Sequence, residues 1–169
     1  MQKSREAILQ VRKLHVCIAD EGKKRYAVKD VSFDVRAQEI TCLVGESGSG
    51  KSVTASSLMR LLPGNALYIE SGSILLEGEE ITLANSQRLR ELRGNRIAMV
   101  FQEPLTALNP VMRVGDQIAE VIQIHKPQLR DTEVRRRVQE LMVDVQLPDP
   151  VAMAESYPHQ LSGASVSAL

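Results

Sequence analysis

Leu9 and Val11, then Leu14, Val16 and Ile18, alternate with polar residues, with one phase slip between the two groups. A period of two predicts a strand with one buried face, and the slip predicts a bulge within it. Asp20 to Lys24 reads as a polar turn around Gly22, after which Val31, Phe33 and Val35 resume the alternation as a second strand. Such alternation suits an antiparallel sheet with one wet face. The pattern then changes. Ile40, Cys42, Leu43 and Val44 form a nearly continuous apolar run that stops at Gly45, as in a short strand buried on both faces. A glycine-rich loop follows at once, and beyond it Val53, Ala55, Leu58, Met59, Leu61 and Leu62 recur at helical spacing until Pro63-Gly64.

Ser73 to Leu83 predicts strands joined by a turn at Glu77-Gly78-Glu79, and Ile97 to Phe101 predicts another short strand, parallel within a sheet. Past a break at Asn109-Pro110 the chain turns helical. Val114, Ile118, Val121 and Ile122 share one face. Asp131 is placed to cap a second helix whose inner face carries Val134, Val138, Leu141, Met142 and Val145. Pro148, Pro150 and Pro158 then interrupt regular structure, and no internal repeat is present.

A length of 169 residues supports one domain with a real core, not two ordinary ones. With 43% hydrophobic and 25% charged residues the profile is that of a soluble globular chain. The net charge of zero gives no reason to expect nucleic acid as a partner, and the one tight basic run, Arg135 to Arg137, reads as a solvated helix face. Cys17 and Cys42 lie in apolar, strand-like stretches and are expected buried and reduced, without a disulfide framework or metal set. His15 and His125 read as surface or packing residues. Met1 to Glu6 is polar, no apolar signal core follows it, and no stretch approaches the ~18 apolar residues of a membrane span. The expected place is the cytoplasm, with membrane contact only through a partner.

Residues 45–52 read Gly-Glu-Ser-Gly-Ser-Gly-Lys-Ser and satisfy the P-loop pattern of Gly, four residues, Gly-Lys-Ser. The spacing has a chemical reason. Glycines let the backbone wrap a phosphate closely and turn successive N–H groups inward. The helix that follows offers its N-terminus, which carries partial positive charge. Lys51 can reach β- and γ-phosphates, and the Ser52 hydroxyl can ligate Mg²⁺. A flexible Gly/Ser linker would not lie so tightly between a buried strand and an amphipathic helix.

Around this loop, Gly-Glu-Ser-Gly-Ser-Gly-Lys-Ser-Val-Thr resembles the ATP-binding subunits of ABC transporters, most of all the oligopeptide, dipeptide and nickel import group. Arg25-Tyr26-Ala27-Val28 lies where that family has its adenine-stacking aromatic. Met99 to Pro110 resembles the group's Q-loop, and Tyr157-Pro158-His159-Gln160-Leu161-Ser162-Gly163 resembles the lead into its signature. The resemblance runs from about Ile8 to Gly163. It implies an α/β fold of the P-loop NTPase (ABC ATPase) class. That fold has an N-terminal antiparallel β-subdomain and a partial RecA-like core (about 8–110), a helical subdomain (about 111–163) and a divergent tail (164–169).

The resemblance also implies roles. Gly45, Ser47, Gly48, Ser49, Gly50, Lys51, Ser52 and Val53 would cradle ATP, and Tyr26 would stack on adenine, although a tyrosine there is equally an ordinary half-buried strand residue. Ser52 and Gln102 would serve Mg²⁺, with Gln102 also contacting the attacking water and coupling the site to the membrane subunits. Ser162 and Gly163 would touch the γ-phosphate held by a second cassette, in a homo- or heterodimer. His159 and Gln160 would be structural. The implied setting is the cytoplasmic face of the cell membrane, with transporter membrane subunits as partners and an extracytoplasmic solute-binding protein acting indirectly.

The family signature continues Leu-Ser-Gly-Gly-Gln, whereas here Leu161-Ser162-Gly163 is followed by Ala164-Ser165-Val166-Ser167-Ala168-Leu169. The acidic strand motif with the catalytic glutamate, the loop after it and the switch histidine have no counterpart in these residues. The expectation is a chain that binds nucleotide and does not hydrolyse it alone. A shifted frame, an early stop and a cloned fragment are the origins considered, and the alternative function is a non-catalytic nucleotide-binding fragment. Strands that the family places between the P-loop strand and the Q-loop strand would be missing, so a marginal, aggregation-prone fold is expected. A GTPase would show Asn-Lys-x-Asp, which is absent, and a small-molecule kinase would not explain the Q-loop and signature stretches.

Overall fold

In the computed structural model, which describes residues 6–20, 24–102 and 107–161, the phase slip near the N-terminus is a bulge. Strand β1 (Ala7–Ile18) loses register with its neighbours between Val11 and Leu14, and Lys13 takes a left-handed φ of 46° that absorbs the extra residue. The Lys13 N–H, withdrawn from the ladder, donates to the Ser32 hydroxyl at 2.8 Å. The bulge returns Leu14 and Val16 to the face that Leu9 and Val11 occupy, so all four are buried.

β1 pairs on one side with β2 (Arg25–Arg36) and on the other with β3 (Leu67–Leu76), which pairs with the short β4 (Glu79–Glu80). The order is β2-β1-β3-β4 and every pairing is antiparallel. Helix α1 (Lys51–Leu58) lies against this sheet, with Val53, Leu58 and Leu62 packed on a core of Leu9, Val11, Leu14, Val16, Val28, Ile74, Leu76, Ile81 and Leu92. Helix α2 (Ser86–Leu92) adds Leu92, and Asn85 caps it by accepting the Arg88 N–H at 2.8 Å.

α1 stops at Leu58, four residues before the periodic pattern ends. Arg60 adopts a left-handed φ of 53°, and Leu61 and Arg60 donate their N–H groups to the Ser56 and Ser57 carbonyls. This is a Schellman closure with arginine where glycine is usual. The Arg93 guanidinium offsets the cost by donating to the Met59 and Arg60 carbonyls at 2.9 and 2.8 Å.

Two expected strands are corrected by the structure. Ile40 to Val44 is irregular, with Ile40 94% and Val44 87% exposed, and Cys42 is exposed while Cys17 is buried. From Ile97 to Phe101 there is one isolated parallel bridge, Arg93 to Ile97, and Val100 and Phe101 are exposed. A strand exists only by pairing, and among the described residues neither segment has a strand beside it.

The chain divides between Ile97 and Ala98 into two compact units. In the second, α3 (Val114–His125), α4 (Asp131–Asp144) and α5 (Pro150–Glu155) enclose Val114, Val138, Met142, Leu147 and Met153, followed by a 3₁₀ turn at Pro158–Gln160. Val121 and Val145, expected on the inner faces, are exposed, and Asp131 is the first helical residue rather than the cap. Arg136 and Arg137 pair with Glu140 on the outside of α4, as a solvated basic face should.

Glu80 ties β4 to β3. Its carboxylate accepts the Ser73 and Thr82 hydroxyls, the Ile74 N–H at 3.0 Å and the Thr82 N–H at 3.1 Å. Partial burial pushes the Glu80 carboxyl up, but these donors together hold it below its ordinary value of 4.5. A carboxyl lowered in the folded state stabilises the fold above the unfolded value, and that contribution disappears as pH falls through the folded value. Glu80→Ala is expected to cost about 2 kcal/mol at neutral pH. Glu80→Gln should cost less and flatten the acid side of the stability profile below pH ~5, a difference that urea titrations at pH 7 and pH 4 measure.

Candidate functional site

The loop from Gly45 to Gly50 leads straight into α1, and its shape rests on glycine conformations and on one close backbone approach. Gly48 and Gly50 have φ of 80° and 88°. A Cβ on Gly50 would stand 2.5 Å from the Ala27 carbonyl oxygen, so only glycine lets the helix start sit this close to β2. A Cβ on Gly45 would stand 2.7 Å from Ser49 Oγ, closing the other side of the loop. The Ser49 N–H donates to the Glu46 carbonyl at 3.2 Å, which makes the loop a turn.

Lys51, the first residue of α1, folds back across the loop. Its Nζ donates to the Gly45 carbonyl at 2.8 Å, the Glu46 carbonyl at 2.7 Å and Ser49 Oγ at 3.4 Å. The ammonium therefore lies at the centre of the arc of residues 45–49. Ser52 is exposed on the first turn, and Val53 is half-buried on the core side. Thr54 and Ser57 are buried and bond to the Gly50 and Val53 carbonyls at 2.9 and 2.7 Å, so they serve the helix rather than a ligand. No acidic side chain stands in the first turn of α1. The helix start and the Lys51 ammonium thus meet at one loop, a combination that suits a multiply charged anion.

Tyr26 lies on β2 opposite Cys17 and directly before Ala27, the residue against which Gly50 rests. It is 37% exposed. The His15 ring lies 5.6 Å from it, centroid to centroid, with the planes inclined by 66°. Lys24 Nζ and Lys29 Nζ stand 5.5 and 5.9 Å from the Tyr26 ring centroid. Lys24 also forms an ion pair with Glu70, which holds the ammonium above and the carboxyl below their ordinary ranges. Sequence reading did not gather His15, Lys24, Lys29 and Glu70 around this tyrosine. The cross-strand register does so, and it is settled by the bulges of β1.

The structure thus brings Tyr26 and residues 45–53 into one unit. Gln102 belongs to the second unit, where it is exposed, and Ser162 and Gly163 lie outside the described residues, as do 103–106 of the Q-loop stretch. Among the described residues no cluster of three or more His, Cys, Asp or Glu side chains could hold a metal. Mg²⁺ at a nucleotide commonly takes one or two protein ligands beside phosphate oxygens and water. Ser52 offers such a hydroxyl. No helix of the described residues is long and apolar enough to cross a membrane.

A family model described as ABC transporter matches residues 28–168. The chain is 43% identical over 158 residues to the probable D,D-dipeptide transport ATP-binding protein DdpD of Escherichia coli, covering 94% of this chain and 48% of that protein. It is 40% identical over 158 residues to the dipeptide transport ATP-binding protein DppD of Bacillus subtilis, covering 94% of this chain and 47% of that one. The chain thus spans about half the length of these relatives. Among solved structures, a dimeric bacterial ABC transporter cassette superposes with a TM-score of 0.78 at 21% identity, covering 95% of this chain and 68% of that chain. The fold is therefore that of such cassettes.

Proposed function

Because the chain belongs to the ABC transporter family, we propose that it forms the nucleotide-binding front of an ATP-binding subunit that energises the import of peptides or similar small solutes. The carrying observation is the loop itself. Lys51 Nζ lies within 2.8 Å of two carbonyls of an arc whose glycines leave the backbone bare, at the start of a helix with no acidic first turn. In this reading, the N–H groups of residues 47–52 and the Lys51 ammonium receive the phosphates of ATP. Ser52 holds Mg²⁺, which when bound neutralises phosphate charge. Tyr26 stacks on the base, and the family resemblance gives Gln102 a role toward Mg²⁺ or the attacking water in the whole protein. Hydrolysis also needs a general base and most of a metal site, which these residues do not supply, so the reaction belongs to the whole protein. The relatives named for dipeptide transport favour peptide cargo. Transporter membrane subunits, a second cassette meeting Ser162 and Gly163, and an extracytoplasmic solute-binding protein are the partners of that whole protein, at the cytoplasmic face of the membrane.

The test is a calorimetric titration of the full chain with MgATP and, separately, with Mg-tripolyphosphate, which carries the phosphates without the base. Both should bind, MgATP more tightly. Tyr26→Ala should weaken MgATP roughly tenfold, in line with the loss of one base–aromatic stack, and leave tripolyphosphate unchanged. A chain that binds neither ligand contradicts the reading, and an equal loss of both in the variant removes Tyr26 from it.

A further inference from the structure

We infer that His15 is a positioning residue for nucleotide binding, acting through Tyr26; this rests on the nucleotide reading above. The bulge of β1 is where the argument begins. Lys13, at φ 46°, turns its carbonyl toward the imidazole, and His15 Nδ1–H donates to it at 2.8 Å. That bond fixes the tautomer and the orientation of the ring together. The ring so held meets Tyr26 in a tilted, edge-type contact at 5.6 Å and 66°, the favoured geometry for an aromatic pair.

The other neighbours of Tyr26 are Cys17 opposite it, Glu70 and two lysines, none of which is a ring. Lys24 is drawn toward Glu70 on β3, and Lys29 lies on β2 itself. His15 is thus the one aromatic neighbour of Tyr26 among the described residues, and its orientation is set by backbone rather than by solvent. A half-exposed tyrosine on a strand would otherwise sample several rotamers. Each rotamer lost on ligand binding costs affinity, and a ring already confined avoids that cost. His15 therefore pre-sets Tyr26 as a platform, and Gly50 against Ala27 keeps that platform beside the phosphate loop.

The experiment measures the affinity of the full chain for MgATP and for Mg-tripolyphosphate in His15→Ala, in His15→Phe, and in each combined with Tyr26→Ala. His15→Ala should weaken MgATP about three- to tenfold, as expected for one aromatic pair and one freed side chain, with tripolyphosphate affinity within about twofold of the unmodified chain. His15→Phe, which restores a ring without the bond to the Lys13 carbonyl, should recover part of the loss. In the Tyr26→Ala background, His15→Ala should change nothing further. Unchanged MgATP affinity in His15→Ala overturns the inference. So does an equal loss of both ligands, which marks a merely structural role, or an effect that survives without Tyr26. An unmodified chain that binds neither ligand overturns the nucleotide reading and this inference together.

Discussion

Lys51→Ala is expected to weaken MgATP binding by about a hundredfold or more, with little change in thermal stability. The ammonium lies inside the loop's arc, bonded to the Gly45 and Glu46 carbonyls and to Ser49. Charge-assisted hydrogen bonds are worth about 1.5–3 kcal/mol each, and a lysine spanning two phosphates makes two or more of them. The bonds it makes to the loop are exposed, so the core of Leu14, Val16 and Ile74 is untouched by their loss. Lys51→Arg should not restore affinity, because a planar fork does not replace a compact ammonium inside so tight an arc. Titration calorimetry with parallel thermal melts measures both quantities. A variant that keeps its affinity would place the phosphate site elsewhere.

Gly72→Ala should have the largest effect on stability, about 3 kcal/mol or more, a large share of the ~5–15 kcal/mol of an ordinary domain. Gly72 sits on β3 opposite the bulge of β1 with φ of 107°, outside the range that other residues adopt readily. Its Cβ would fall 2.7 Å from Leu14 Cα, 2.7 Å from the Lys13 carbonyl and 2.9 Å from the Arg12 carbonyl. All three are backbone atoms of the central strand, so no side chain can swing aside. Gly78, also at positive φ but in the open turn before β4, has no atom within 4 Å of a Cβ and should cost much less when replaced by alanine. Urea unfolding of the two variants side by side separates collision from strain. Equal midpoints would show that the bulge does not hold β3 as close as described.

Much of this was legible because the features were local. The slip between Val11 and Leu14 could only be a bulge if both groups were to face one core, and the loop at 45–52 carries its own stereochemistry. What was not legible depended on neighbours. Ile40 to Val44 has the composition of a doubly buried strand, yet it lies open with no strand beside it among the described residues, and Cys42 is exposed with it. The same holds for Val100 and Phe101. α2 has two buried leucines in seven residues, too few for a period to stand out, and its cap at Asn85 was the signal available. The end of α1 turned on Arg60 taking a conformation that favours glycine, which Arg93 makes tolerable from 33 positions away in sequence. The grouping of His15 with Tyr26 needed the register of β1 against β2, and the register shifts along β1 had to be placed before that register could be known.

The central claim is that residues 45–52 bind the phosphates of a nucleotide, and a titration of the unmodified full chain with MgATP, competed afterwards with Mg-tripolyphosphate, tests it most directly. The account predicts saturable one-site binding that excess tripolyphosphate reverses. Absence of saturable binding, or binding that tripolyphosphate leaves in place, would contradict it.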